Sequence, residues 1–269
     1  MRRILLFLFI LFFTGEIYSR DYVNYNIKVL GAQMLLLKDD IDSALIIYKQ
    51  AFELVDKPFP KDLLNAAFAA YYADSLYLMK HCITSAIEVG AYFKFVKKKF
   101  KNKYKNKDFW TTLEKEYLLI VQKKETDTLF NTIKKMFDED QKARKGIFNK
   151  KRKMIVADSS NAIKINKIVS EYYYPGFITL GTYNSLVMTH WFFLHFPVPN
   201  YKNIILNGLR SGEITPMMAT FMYQRQFMFQ NNGSCPINFP DLILKTYRSY
   251  VGERYQKLQK QGFDFNYHL

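Results

Sequence analysis

The chain has 269 residues, 49% of them hydrophobic and 23% charged, a balance that excludes an intrinsically disordered chain and a multi-span membrane protein. Its length allows a substantial core and two domains, and with only eleven glycines and eight prolines it is punctuated too sparsely for a turn-rich β fold. The formal charge of +15 directs attention to anionic partners. The 24 phenylalanines and 20 tyrosines read mainly as core and helix-seam volume.

The N-terminus has the layout of a secretory signal peptide. Arg2 and Arg3 precede the apolar run 4–13, and a polar stretch then ends on Ser19. A permanent span needs about 20 apolar residues, so the run is too short for one. Residues 1–19 are therefore expected to be removed on export, to a periplasmic or extracellular location, with no transmembrane span in the mature chain. Export permits disulfides. Only Cys82 and Cys235 are present, and the reading favours two buried free thiols over a bridge.

Residues 20–95 read as paired helices. Asp39 or Asp40 caps a helix that carries Ala44, Tyr48 and Ala51 on one face and stops before Pro58. The helix before it supplies Gly31 and Ala32. A second pair comes next, with Asp62 near its start, the alanines 66, 67, 69, 70 and 73, then Met79, Ile83 and Ala86, and Gly90 as a C-cap. The spacing Ala44, Tyr48, Ala51 resembles the second helix of a tetratricopeptide repeat, and Met79, Ile83, Ala86 repeat it degenerately. Two units are fewer than a free-standing solenoid needs, so this segment is expected to lean on the C-terminal part of the chain.

Residues 96–269 form the second predicted domain, and 93–107 read as a lysine-rich connection into it. Trp110, Leu113, Tyr117 and Ile120 or Val121 mark one amphipathic helix; Leu129, Ile133, Met136 and Phe137 mark the next, with Lys134 and Lys135 outside. A helix capped by Asp158 is expected to bury Ile163, Ile165, Ile168 and Val169 and to stop at Pro175–Gly176. After it comes a buried helix ending before Pro197. Two more are separated by Gly212, and a last amphipathic helix uses Ile243, Tyr247, Val251, Tyr255 and Leu258. No pair of alternating strands appears. The predicted fold is all-α: tetratricopeptide-like hairpins followed by a compact helical bundle.

Much of the positive charge sits in two runs, Lys97–Lys107 with seven lysines and Lys142–Lys153 with seven cations. Each is either a solvated surface or a site for an anionic surface or polyanion. His190 and His195 lie five apart, which turns their side chains about 140° from one another on a helix. That spacing fails a two-histidine metal site, and no H-E-x-x-H, cysteine cluster or D-x-D-x-D-G loop occurs. No metal or other cofactor is indicated. His195, in the last turn before Pro197, suits a C-terminal cap.

The order of Asp140, Gln141 and Arg144, then Asp158 and Asn161, then Pro175, Gly181, His195 and Arg225 resembles an uncharacterised bacterial helical domain. Its pattern runs D-Q-x-x-R, D-x-x-N, Q-H and D-R, often behind a tetratricopeptide-like segment. Here Gln224 stands where the D-R pair has its aspartate, and the later Q-x-Y-G-T stretch survives only as 231–239. The resemblance implies an architecture and a residue set but no reaction. His195, Asp158 and Arg225 are catalytic candidates, and Asp140, Arg144 and Asn161 ligand-binding candidates, if they converge on a cleft. The same residues suit an internal salt-bridge network, with Asp140 and Arg144 an i,i+4 pair.

The chain shows no catalytic motif, so whether it is an enzyme stays open. The favoured expectation is an exported interaction module that holds a protein partner through its front hairpins. The alternatives are a small-ligand binder or enzyme built on His195, Asp158 and Arg225, and a polyanion-binding surface protein.

Overall fold

The computed structural model describes residues 21–145, 150–172, 174–181, 183–231, 256–258 and 260–263. Its described residues contain twelve numbered helices and no strand. In chain order these are α1 (Tyr22–Leu37), α2 (Ile41–Phe52), α3 (Pro60–Tyr72), α4 (Leu76–Glu88), α5 (Phe93–Phe100) and α6 (Lys107–Glu125). They continue with α7 (Thr128–Lys145), α8 (Lys150–Tyr172), the single turn α9 (Phe177–Leu180), α10 (Tyr183–His195), α11 (Tyr201–Arg210) and α12 (Pro216–Gln230). The fold is all-α, with helical hairpins at its front.

Short polar side chains start the helices because they accept from backbone N–H groups that have no carbonyl four residues back. Asp21 accepts from Asn24 N, Asp40 from Ser43 N, Asn106 from Phe109 N and Thr215 from Met218 N, at 2.9–3.3 Å. Pro60 and Pro216 open α3 and α12, where a missing N–H costs nothing. Gly90 comes after the C-cap of α4 at φ 97°.

The front hairpins α1–α2 and α3–α4 pack as pairs. Both predicted faces point inward: Ala44, Tyr48 and Ala51 on α2, and Met79, Ile83 and Ala86 on α4, are all buried. At the centre lies α3, buried on nearly all sides from Pro60 to Ala70. Its alanines let neighbouring helices approach closely, and Phe68 stacks on Phe100 of α5 at 4.2 Å between ring centroids. Tyr25 is taken into this core with its polar partners: its Oη donates to Asp62 Oδ2 at 2.6 Å and accepts from Phe59 N at 2.9 Å.

The back bundle is α7, α8 and α10–α12, with α10 packed on α7, α8, α9 and α12. It reaches the front through Phe59–Phe177, 5.2 Å apart, and through Gly212, where a Cβ would stand 2.3 Å from the Tyr22 ring. At φ 76° that turn is also one that L side chains adopt at a cost. From the far end of the chain, Phe263 packs on Phe68 and Tyr72.

Three expectations are corrected. The lysine-rich connection contains helix α5, because Phe93, Val96 and Phe100 recur at helical spacing and are buried. Asp158 is no N-cap: α8 already runs from Lys150, so Asp158 lies in its third turn. Ile163 is exposed, while Ile165, Ile168 and Val169 are buried as expected. Cys82 is a buried free thiol, and burial pushes its pKa up to about 12. Cys235 and most of the last predicted helix lie outside the described residues.

Candidate functional site

Six of the residues singled out in the sequence lie along α7, α8 and α10. Asp140 and Arg144 are one turn apart on α7, and Asp140 is fully buried. Arg144 grips the carboxylate as a fork, Nε to Oδ2 at 2.8 Å and Nη2 to Oδ1 at 2.9 Å. Two further donors reach Oδ2: Trp191 Nε1 of α10 at 2.9 Å and Gln141 Nε2 at 3.3 Å. Arg144 Nη2 also donates to Asp158 Oδ1 of α8 at 2.7 Å. Donation to the Asp140 carboxylate raises the guanidinium pKa still further, so Arg144 remains a cation held between two carboxylates.

Trp191 extends this cluster. Its ring lies 3.9 Å from that of His195, nearly parallel, and meets Phe137 edge-on at 6.2 Å. The Arg144 guanidinium stands 5.6 Å from the Trp191 ring. His195 Nδ1 is 2.8 Å from Trp191 O, its own helix carbonyl. Since a carbonyl only accepts, Nδ1 carries the proton in that bond. His195 thus caps α10 and reaches Asp158 only through Trp191 and Arg144.

Arg225 is placed elsewhere. Its Nε donates to Leu194 O at 2.9 Å and its guanidinium lies over Phe229. Beside it on α12, the buried Gln226 donates Nε2 to Phe193 O and Phe196 O and accepts from Val198 N. The last carbonyls of α10 have no helical partner, and Arg225 and Gln226 supply donors for Leu194 O, Phe193 O and Phe196 O, while His195 reaches Trp191 O a turn earlier. The candidate residues therefore divide into a pin across α7, α8 and α10 and a cap on the end of α10. Asn161 is buried one turn beyond Asp158, its Nδ2 without a hydrogen-bond partner among the described residues.

The other residues of the pattern hold backbone. Pro175 O accepts from Thr189 Oγ1 at 2.8 Å, and Gly181 ends α9 at φ 65°. Glu213, absent from the sequence-derived set, accepts from Gly176 N, Thr179 N and Thr179 Oγ1 and so closes the turn into α9. Trp191 and Gln226 were also missed. Nothing local marks them, since their partners lie 51 and about 30 residues away.

A different feature has the shape of a binding site. Between α2 and α4, over α3, runs a groove of about 600 Å³, within the range of ligand pockets. Its walls are largely apolar, with Leu45, Ile46, Phe52, Val55, Pro58 and Leu78 on them and Tyr48, Leu63 and Cys82 beneath. At its edges stand Glu53, Asp56 and Glu88 against Lys49, with His81 and Ser85 between. Three carboxylates to one cation is the reverse of the chain as a whole.

Comparison of the chain with protein-family models, with curated proteins and with solved structures finds no match. The D-Q-x-x-R and D-x-x-N pattern thus has no matching family model behind it, and what stands is the helical architecture itself.

Proposed function

We propose that the protein is an interaction module that holds an apolar segment of a partner protein in the groove between α2 and α4. The groove carries this reading: it is an apolar, concave surface on the front hairpins, and its flanking carboxylates favour a segment bearing lysine or arginine next to its apolar residues. The polar cluster supports no competing chemistry of equal weight. Its carboxylates are occupied by Arg144, Trp191 and Gln141, and Arg225 faces the end of α10 instead. With the basic and apolar leader-like pattern of residues 2–13, the proposal places this activity outside the cytoplasm. No helix of the described residues is long and apolar enough to cross a membrane.

The test is site-specific photo-crosslinking in the cells that produce the protein. A photoreactive residue at Leu78, inside the groove, is expected to give a discrete adduct that the same residue at Ile27, outside it on α1, does not give. Ser85→Arg, which fills the groove and halves its negative charge, is expected to abolish that adduct while leaving the circular dichroism unchanged. Equal adducts at positions 78 and 27, or an adduct indifferent to S85R, would overturn the proposal.

A further inference from the structure

The outward face of α8 is used by neither the groove nor the polar cluster. Residues spaced by three or four along a helix share a face, and on α8 such a line runs through Arg152, Val156, Ser159, Ile163 and Lys167. The opposite face, with Asn161, Ile165, Ile168 and Val169, is buried. Val156 is 64% exposed and Ile163 73%. With the inward face already filled, these branched apolar side chains on the crest add little to folding.

The charges around them are mostly positive, with Glu139 of α7 the carboxylate that shares a depression with Arg152, Lys153 and Val156. α8 carries six cations and two carboxylates. Of those carboxylates, Asp158 is turned onto Arg144 and Glu171 lies beyond Lys167, near the far end. Lys164 pairs with Glu139 of α7 at 3.7 Å. Lys151, Arg152, Lys153 and Lys167 have no carboxylate within salt-bridge distance among the described residues. An apolar crest flanked by cations that have no carboxylate partner among the described residues matches a helix that lies in a membrane interface, where cations meet anionic head groups and apolar side chains enter the acyl boundary. A nucleic acid would engage the cations through its phosphates but give Val156 and Ile163 nothing to do, and the crest has no aromatic ring for base stacking.

We propose that this face of α8 docks the protein onto a membrane surface rich in anionic lipid. The docking is electrostatic in approach and apolar in seating, so both kinds of residue are needed for it.

The experiment is co-sedimentation of the full chain with phosphatidylcholine vesicles with and without phosphatidylglycerol, at low and high ionic strength. The quantity read is the salt-sensitive, phosphatidylglycerol-dependent part of binding, which removes the purely apolar contribution of residues 4–13. The α8 variants assign the share that is due to this helix rather than to Arg2, Arg3 or the lysines of 97–107. Replacing Arg152, Lys153 and Lys167 together by Gln is expected to weaken it on the order of 100-fold. Val156→Ser with Ile163→Ser is expected to weaken it about tenfold. Both variants change exposed side chains, and circular dichroism checks that they fold. Binding that is equal on neutral vesicles, or that survives both variants, overturns the proposal. So does retention on DNA or heparin that falls with the charge variant, ignores the apolar one, and is accompanied by no vesicle binding.

Discussion

His190 is buried in α10, and neither of its ring nitrogens has a hydrogen-bond partner among the described residues. Burial first, and the charge of His195 second, lower its pKa from 6.5 to about 4. The unfolded chain takes up this proton near 6.5 and the folded chain only near 4, so between them the unfolded state binds more protons. The stability contributed by the neutral imidazole is complete above pH 6.5 and is lost as pH falls toward 4, by about 3 kcal/mol. His190→Leu is expected to be neutral or mildly stabilising at pH 7.5 and to narrow the gap between thermal melts at pH 7.5 and 4.5. A gap as wide as the parent's would show that His190 is not the titrating group. The sequence separated this residue from His195 by helical geometry alone. That His190 would be enclosed without a partner was beyond it, because enclosure comes from helices distant in the chain.

At the scale of elements, the Asp140 cluster ties three helices together. Removing a partner from a buried ion pair leaves a charge in a medium that solvates it poorly. Asp140→Ala strands the Trp191 N–H and half-strands Arg144, which keeps a bond to Asp158 and is 20% exposed, so about 2–3 kcal/mol is expected to be lost. Asp158, 36% exposed, is expected to cost under about 1 kcal/mol on substitution by Ala. Urea unfolding of the two variants side by side checks the order, and a larger loss for D158A would refute it. The Asp140–Arg144 pair was legible as an i,i+4 spacing. Asp158 reads as an N-cap or as part of a salt-bridge network, and the second holds, while the role of Trp191 was not legible. The run 142–153 reads as a solvated surface or a polyanion site, which hides that its residues 150–153 are already helical, and Trp191 reaches Asp140 across 51 residues.

Across the whole molecule, the front hairpins and the back bundle meet on a few close contacts, and Gly212 against Tyr22 is the tightest for substitution. Gly212→Ala combines an unfavourable φ of 76° with a clash against the ring, an expected loss of about 2–4 kcal/mol. If the halves fold as one unit, tryptophan fluorescence and circular dichroism are expected to shift together in denaturant. Two separated transitions would contradict that. Gly31→Ala is the matched control. In mid-helix, with Ile47 3.9 Å away as the nearest neighbour of an added Cβ, it is expected to stabilise by up to about 1 kcal/mol.

Local rules were enough for what the sequence determined by itself. Caps such as Asp40, the buried triplets 44, 48, 51 and 79, 83, 86, the stop at Pro175–Gly176 and the all-helical class all come from helix period and backbone chemistry within a few residues. Tertiary structure alone decided where the polar side chains end, because their partners are brought together by packing rather than by spacing. It set His195 and Arg225 on the end of α10, enclosed Asp140 between three helices, left the crest of α8 uncovered, and opened the groove over α3.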